Sequence, residues 1–311
     1  MTRRTKRWLV AIPIALALLV ALFARTFSAA PLPPVPPYAG PTPSAAPPAG
    51  MRVVHLPTGI IPRNAAIAYR GGAFSDKRDF TMSALLVKHP RGDVLIDTGF
   101  GRGIDAQFAS MPWFFRAGSK LHKGRPARDQ LATAGYDAKN LRAILLTHAH
   151  WDHVSGIPDF PDVPVWITAE ERRFIADGGT ITDIARSIPT ARYVDYAFEQ
   201  GPYLGFPRSH DVHGDGSIVV VPAPGHTPGS VIVFVHLPTG QRLALVGDLA
   251  WQREGILERE ERPWLTRTAV DHDPAGVRDN LLRMNALAAR YPDLLILPAH
   301  DARPFAQLPP L

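Results

Sequence analysis

Apolar residues along this chain come in two rhythms. Short runs of β-branched residues or leucine, bounded by Gly, Pro or Asp, predict strands at 52–56, 83–89, 94–97, 143–147, 163–167, 218–222, 231–236, 243–247 and 294–298. His89-Pro90-Arg91-Gly92-Asp93 and Leu237-Pro238-Thr239-Gly240-Gln241 each separate two such runs by turn formers, which predicts hairpins. Helical spacing predicts helices at 128–134, at 169–175 behind Thr168, and at 274–290. In the last of these Val277, Leu281, Met284 and Leu287 make one stripe after Asp273-Pro274. Strand-rich blocks with helices between them predict sheets covered by helices on their outer faces.

The N-terminus breaks this pattern. Residues 8–24 are almost wholly apolar, follow Arg3, Arg4, Lys6 and Arg7, and precede Ser28-Ala29-Ala30. This is the three-part layout of an export signal. Pro31 directly after Ala30 is awkward for cleavage, so retention as a membrane anchor is favoured. The basic flank places the body outside the cytoplasm, in the periplasm or on the extracytoplasmic face of the inner membrane. Residues 31–50 hold nine prolines and no charge, which predicts an extended, polyproline-like tether. Residues 51–311 read as one domain without repeats.

Composition narrows the function. With 46% apolar residues and no cysteine in 311, the chain folds on a core and uses neither disulfides nor thiolate ligands. Five positive charges of the net +6 lie in the first fifty residues, which hold no acid. The near-neutral remainder has no electrostatic footprint for nucleic acid.

The chemistry concentrates where a predicted strand ends, in Thr147-His148-Ala149-His150-Trp151-Asp152-His153. Side chains at i and i+2 of an extended segment share a face. His148 and His150 can therefore grip one ion while the turn carries Asp152 and His153 towards another. Three more metal-binding side chains follow predicted strands: His226 in Pro224-Gly225-His226-Thr227-Pro228-Gly229-Ser230, Asp248 after Gly247, and His300 after Pro298-Ala299. Ligands at several strand ends converge on one sheet edge. Other motifs carry less. Gly101-Arg102-Gly103 lacks the βαβ context of a dinucleotide site, and His210-Asp211-Val212-His213-Gly214-Asp215-Gly216 reads as turn formers.

This HxHxDH turn with His, Asp and His at later strand ends resembles the metallo-β-lactamase superfamily. The resemblance covers nearly all of residues 51–311 and implies an α/β fold, an αβ/βα four-layer sandwich of two mixed sheets with outer helices. It implies that His148, His150 and His226 hold one metal, that Asp152, His153 and His300 hold a second, and that Asp248 bridges them. Val94-Leu95-Ile96-Asp97-Thr98-Gly99 resembles the family's first motif, in which the acid supports the ligands. Imidazole and carboxylate donors suit two Zn²⁺, with Fe, Mn or Co also accommodated. The activity implied is a metal-dependent hydrolase that directs a metal-bridging hydroxide at an ester-like bond, with Asp152 and Asp248 in the catalytic machinery.

Residues 83–99, the Gly225 to Ser230 segment and the ligand spacings look most like the N-acyl-homoserine lactonase branch, so a lactone is the first expectation for the small-molecule substrate. A phosphoester or phosphotriester is the alternative, and a non-catalytic binding domain a third reading. One departure stands out: where those lactonases usually carry a Tyr three residues after the bridging Asp, this chain has Trp251, whose indole donates a hydrogen bond but cannot exchange a proton. Tyr193, Tyr196 and Tyr203 are candidate substitutes. Phe108, Met111, Trp113, Phe114 and Phe115 form an apolar cluster read as a loop that lines an acyl pocket, touches a membrane, or packs on its own domain. Tyr196, Phe198, Tyr203 and Phe206 form a second aromatic group, read the same way.

Overall fold

A computed structural model describes residues 3–309 and 311, with side chains described from residue 13 onward except those of Phe114 and Ala191. Its strands are β1 (Arg52–Asn64), β2 (Lys77–Lys88), β3 (Asp93–Ile96), β4 (His122–Lys123), β5 (Leu141–Leu145), β6 (Val165–Ile167) and β7 (Tyr193–Asp195), which form one sheet in the order β4-β1-β2-β3-β5-β6-β7. A second sheet runs β12-β11-β10-β9-β8, from β8 (His210–Asp211), β9 (Ile218–Pro222), β10 (Val231–His236), β11 (Arg242–Gly247) and β12 (Leu294–Pro298). Both sheets are mixed: β3, β5, β6 and β7 pair in parallel, as do β11 and β12, and the other neighbours are antiparallel.

Alternation along each strand builds the layers, because successive side chains point to opposite faces. Val53, Leu85, Val94 and Leu145 meet Val220, Val233 and Leu245 in a core between the sheets. Their neighbours Val54, Leu86, Leu95 and Ile144 face outward onto helices that supply Leu131, Val154 and Ile175. On the other side Val219, Val221, Phe234 and Val246 pack beneath the Val277, Leu281, Met284 and Leu287 stripe of the helix Pro274–Arg290. The arrangement is the αβ/βα sandwich.

The structure adds three short strands that the sequence did not show, β4, β7 and β8, and starts β2 six residues earlier, at Lys77. β1 runs on past Pro57 and Pro62. It bonds β2 along its whole length but β4 only at Gly59 and Ile60, and a register shift falls between Pro57 and Gly59. A strand bonded mostly on one side tolerates residues without an N–H. The segment read as an aromatic loop contains two short helices, Ile104–Ala109 and Trp113–Ala117.

The N-terminal helix Arg3–Phe27 contains the apolar stretch 8–24; the side chains of Arg3, Arg4, Lys6, Arg7 and Trp8 lie outside the described residues. No helix among the described residues is long and apolar enough to cross a membrane. The proline-rich stretch has neither helix nor strand, but it is a docked strap and not a free tether. Leu32 is buried in the core beneath the second sheet's outer helix. Its N–H donates to the Arg259 carbonyl at 2.8 Å, and its carbonyl accepts from Arg259 Nε at 3.0 Å. Further along, Tyr38 N–H donates to the Ala286 carbonyl, the Thr42 and Tyr291 hydroxyls bond at 2.8 Å, and Ala46 N–H reaches the Asp215 carbonyl. Backbone without internal hydrogen bonds is free to bond outward, and the apolar side chains supply the docking energy.

Candidate metal centre

All seven residues picked from the sequence lie together at the strand ends, and each is buried. His148 and His150 follow β5, Asp152 and His153 sit on the one-turn helix Trp151–Val154, His226 follows β9, Asp248 follows β11 and His300 follows β12. Gly247 makes the turn before Asp248 at φ +53°, and a Cβ there would come to 3.0 Å from Thr147 Cβ, so the two strand ends approach only because a glycine is present.

Their ring nitrogens and carboxylate oxygens gather into overlapping groups. His148, His150 and His226 form one; Asp152, His153 and His300 form another; His148, His153 and Asp248 form a third between them. The Asp248 carboxylate lies 3.4 Å from His226 Nε2 through Oδ2, and 3.3 Å from His153 Nε2 and 3.1 Å from His300 Nε2 through Oδ1. His300 Nε2 is also 3.4 Å from Asp152 Oδ2.

The donor set fits divalent cations. Buried polar atoms are normally hydrogen-bonded, yet His148 Nε2, His153 Nε2 and Asp248 Oδ1 are buried without a hydrogen-bond partner. Burial, reinforced by neighbouring imidazoles, holds His148 and His150 well below the ordinary histidine range, so both are neutral, the form that offers a lone pair. Burial alone would push the Asp248 carboxyl up, but His300 and His153 overcome it and keep it well below its ordinary value.

A layer of supporting side chains holds the donors from behind. Asp97, at φ +53° just past β3, accepts from Thr147 N–H at 2.8 Å and from Thr147 Oγ1 at 2.7 Å, and its Oδ2 lies 2.8 Å from His153 Nδ1. It thus supports a ligand, as the first-motif resemblance implies. Three further groups escaped the sequence reading. Asp271 lies 2.9 Å from His226 Nδ1 and pairs with the buried Arg262, whose guanidinium also donates to the Asp248 carbonyl. Burial would raise the Asp271 carboxyl, but Arg262 and His226 hold it below the ordinary range. Glu171 accepts from Ala149 N–H at 2.6 Å, Gly229 N–H at 3.0 Å and Thr227 Oγ1 at 2.7 Å, which ties the HxHxDH turn to the His226 loop. Burial pushes Glu171 up to about 7 against the pull of those bonds. Its only sequence signal was a Thr168-x-x-Glu171 capping pattern, in which Thr168 does cap the helix but Glu171 reaches across to the loops.

Trp251 lies at the site, with its Nε1 donating to Asp248 Oδ2 at 2.8 Å and the Arg262 guanidinium 4.7 Å from the ring centre. None of the three candidate tyrosines lines the cavity above the donors. Tyr193 bonds the Ala185 carbonyl, Tyr203 pairs with His236, and the half-buried Tyr196 packs against Phe198, so packing elsewhere engages all three. Phe206 is likewise core, against Phe234. The first aromatic cluster divides: Phe108 and Phe115 pack on Trp151, Met111 is buried and Trp113 is exposed, while Phe115 also reaches the cavity. The 210–216 motif gathers no metal-ligand group among the described residues. Asp211 caps its own turn through Gly214 and Gly216 N–H, and Asp215 pairs with His89 and Arg91.

The cavity holds about 750 Å³. His150, Asp152, His226, Asp248 and His300 line it together with Ile61, Ile67, Phe80, Phe115, Ile181 and Val270. A polar metal-binding group within apolar walls is the usual form of a small-molecule site.

Residues 78–300 match the model of the metallo-beta-lactamase superfamily. The chain belongs to this superfamily. It is 34% identical over 235 residues to a probable metallo-hydrolase of Mycobacterium tuberculosis, covering 70% of this chain and 73% of that one. It is 27% identical over 199 residues to the N-acyl homoserine lactonase AttM of Agrobacterium fabrum, covering 60% and 71%. The fold matches that of an N-acyl homoserine lactone hydrolase solved with N-hexanoyl-L-homoserine at its catalytic metal centre, with a TM-score of 0.66, 15% identity, and 86% and 98% of the two chains covered. This member of the superfamily is a metal-dependent hydrolase.

Proposed function

We propose that the chain hydrolyses the ester bond of an acyl lactone with two divalent ions, zinc by default among those the donors accommodate, held by His148, His150 and His226 on one side and Asp152, His153 and His300 on the other, with Asp248 shared. The observation that carries this is the position of Asp248, whose carboxylate lies within 3.4 Å of a ring nitrogen in each histidine group, His226 on one side and His153 and His300 on the other. Divalent ions in such a site supply Lewis acidity and make water a competent nucleophile near neutral pH.

The protein's own groups do the rest. Asp97 and Asp271 fix the rings of His153 and His226. Trp251 fixes the Asp248 carboxylate. The apolar part of the wall, Ile61, Ile67, Phe80, Phe115, Ile181 and Val270, offers an acyl chain about 0.8 kcal/mol per buried methylene. Likeness to AttM and to the hydrolase with bound acyl-homoserine product supports a lactone over a phosphoester. The N-terminal signal pattern supports export, with the body outside the cytoplasm.

The test is metal analysis of chain purified without chelator, followed by parallel assays for acid release from acyl lactones and phenolate release from aryl phosphates and phosphotriesters. Two metal equivalents and lactone opening that lengthens with the acyl chain are expected. A stoichiometry that stays at one after zinc reconstitution removes the shared-carboxylate mechanism, and phosphoester turnover alone assigns the site to that substrate class.

A further inference from the structure

The elements that wall the cavity are also those that hold the N-terminal helix. The helix Ala65–Ala68 puts Ile67 into the cavity wall, and the residues just after it grip the end of the N-terminal helix. Arg70 Nε donates to the Ser28 carbonyl at 3.0 Å, Arg70 Nη2 to the Arg25 carbonyl at 3.3 Å, and Gly71 N–H to the Phe27 carbonyl at 2.8 Å. The Phe27 ring meets Phe74 edge-on at 4.9 Å. The helix Trp264–Val270 also puts Thr266 and Val270 into the cavity wall and lies against the N-terminal helix. Ala30 N–H, bonded to Glu260 at 3.0 Å, completes the clamp.

What the clamp holds is unsuited to water. Every large apolar side chain from Ile14 to Phe23 is between 55% and 65% exposed. Those positions cover about two-thirds of the helix circumference, and Ala17, Ala21 and Ala24 occupy the rest, so this stretch presents no polar face, and a helix that is apolar all round needs an apolar surrounding. Further exposed apolar side chains stand beside it: Phe74, which meets Phe27, and Trp264 and Leu265 of the helix whose Thr266 and Val270 line the cavity. Arg3, Arg4, Lys6 and Arg7 begin the same segment, with charge complementary to anionic headgroups.

We propose that this surface seats on an anionic lipid bilayer with the mouth of the metal cavity turned towards it, so that amphipathic substrates enter from the membrane, acyl chain first. The partner is the lipid surface itself. Because the clamp and the docked strap tie the helix to the body, the orientation is set by the fold and the body does not swing on a loose linker. The choice of an acyl substrate rests on the function proposed above; the orientation does not.

The chain has no cysteine, so single probes can be placed. Phe74→Cys, Leu265→Cys and, at the far hairpin between β10 and β11, Thr239→Cys would each carry an environment-sensitive fluorophore on the full chain, reconstituted in phosphatidylcholine–phosphatidylglycerol vesicles containing spin-labelled lipid. Probes at 74 and 265 should shift to the blue and be quenched, while the probe at 239 stays as in water. Equal behaviour at all three positions, quenched or not, overturns the orientation. Reconstitution should also raise turnover of a long-chain lactone relative to a short-chain one; an unchanged ratio overturns entry from the membrane. If neither lactone opens, the proposed function fails, and the quenching pattern still decides the orientation.

Discussion

Trp251 Nε1 donates to Asp248 Oδ2 at 2.8 Å, so the residue standing where related lactonases carry tyrosine is committed to the carboxylate between the two histidine groups. With Arg262 stacked on its ring, it acts as a positioning group. Trp251→Phe keeps most of the bulk and loses the donor. Metal retention against a chelator should weaken about tenfold or more, the usual cost of losing a ligand's outer partner. Trp251→Tyr should retain the metal and preserve or raise lactone opening. A phenylalanine variant that holds metal as tightly as the parent would show that the bond is incidental.

Asp248 and Asp152 should behave differently. Asp248 faces both histidine groups, whereas Asp152 gathers only with His153 and His300. Asp248→Ala should lower both metal equivalents, and Asp152→Ala mainly one, as read by elemental analysis after dialysis. Equal losses in the two variants would count against a shared carboxylate.

Glu171→Gln replaces an acceptor by an amide that points hydrogens at backbone N–H donors. The buried Glu171 carboxyl takes three hydrogen bonds, so the variant should lose about 2 to 4 kcal/mol in urea unfolding of the metal-free chain. Full stability in this variant would mean the two ligand loops hold together without the carboxyl.

Acid sensitivity has a source away from the metal. His213 stacks on His89 with ring centres 3.7 Å apart, and burial, with His89 and Arg142 adding to it, lowers His213 to about 4. The unfolded chain binds that proton near pH 6.5, so it holds more protons than the native state between the two values, and stability is lost as pH falls from about 6.5 to 4. Comparing urea midpoints of the metal-free parent and His213→Gln across this window should give a shallower slope for the variant, by about 1 to 2 kcal/mol at the acid end. Parallel slopes would remove His213 from the account.

The strap offers a simple check. Leu32 is buried and bonded at both its N–H and its carbonyl, so a proline-specific protease should spare residues 31–50 in the native chain and cut them in urea. Rapid native cleavage would return the segment to a free linker.

Nine strands and the helices at 127–133, 169–177 and 274–290 were legible because period-two and period-3.6 patterns are local, whereas β4, β7 and β8 are two or three residues long and exist only through the strands they pair with; the sandwich itself was implied by the family resemblance. That these seven side chains would come together was legible because each follows a strand end, where a short motif is its own landmark. Tertiary structure alone decided the groups that orient them. Asp271 lies 45 residues from His226 and Glu171 is 22 from Ala149, and acid residues in helices and loops carry no local mark of a distant partner. Nor could composition show that a proline-rich stretch would dock. Such backbone forms no helix or strand bonds of its own and must satisfy its N–H and C=O groups outside itself, so whether it bonds to water or to the Arg259 and Ala286 carbonyls depends on what surface the fold sets beside it.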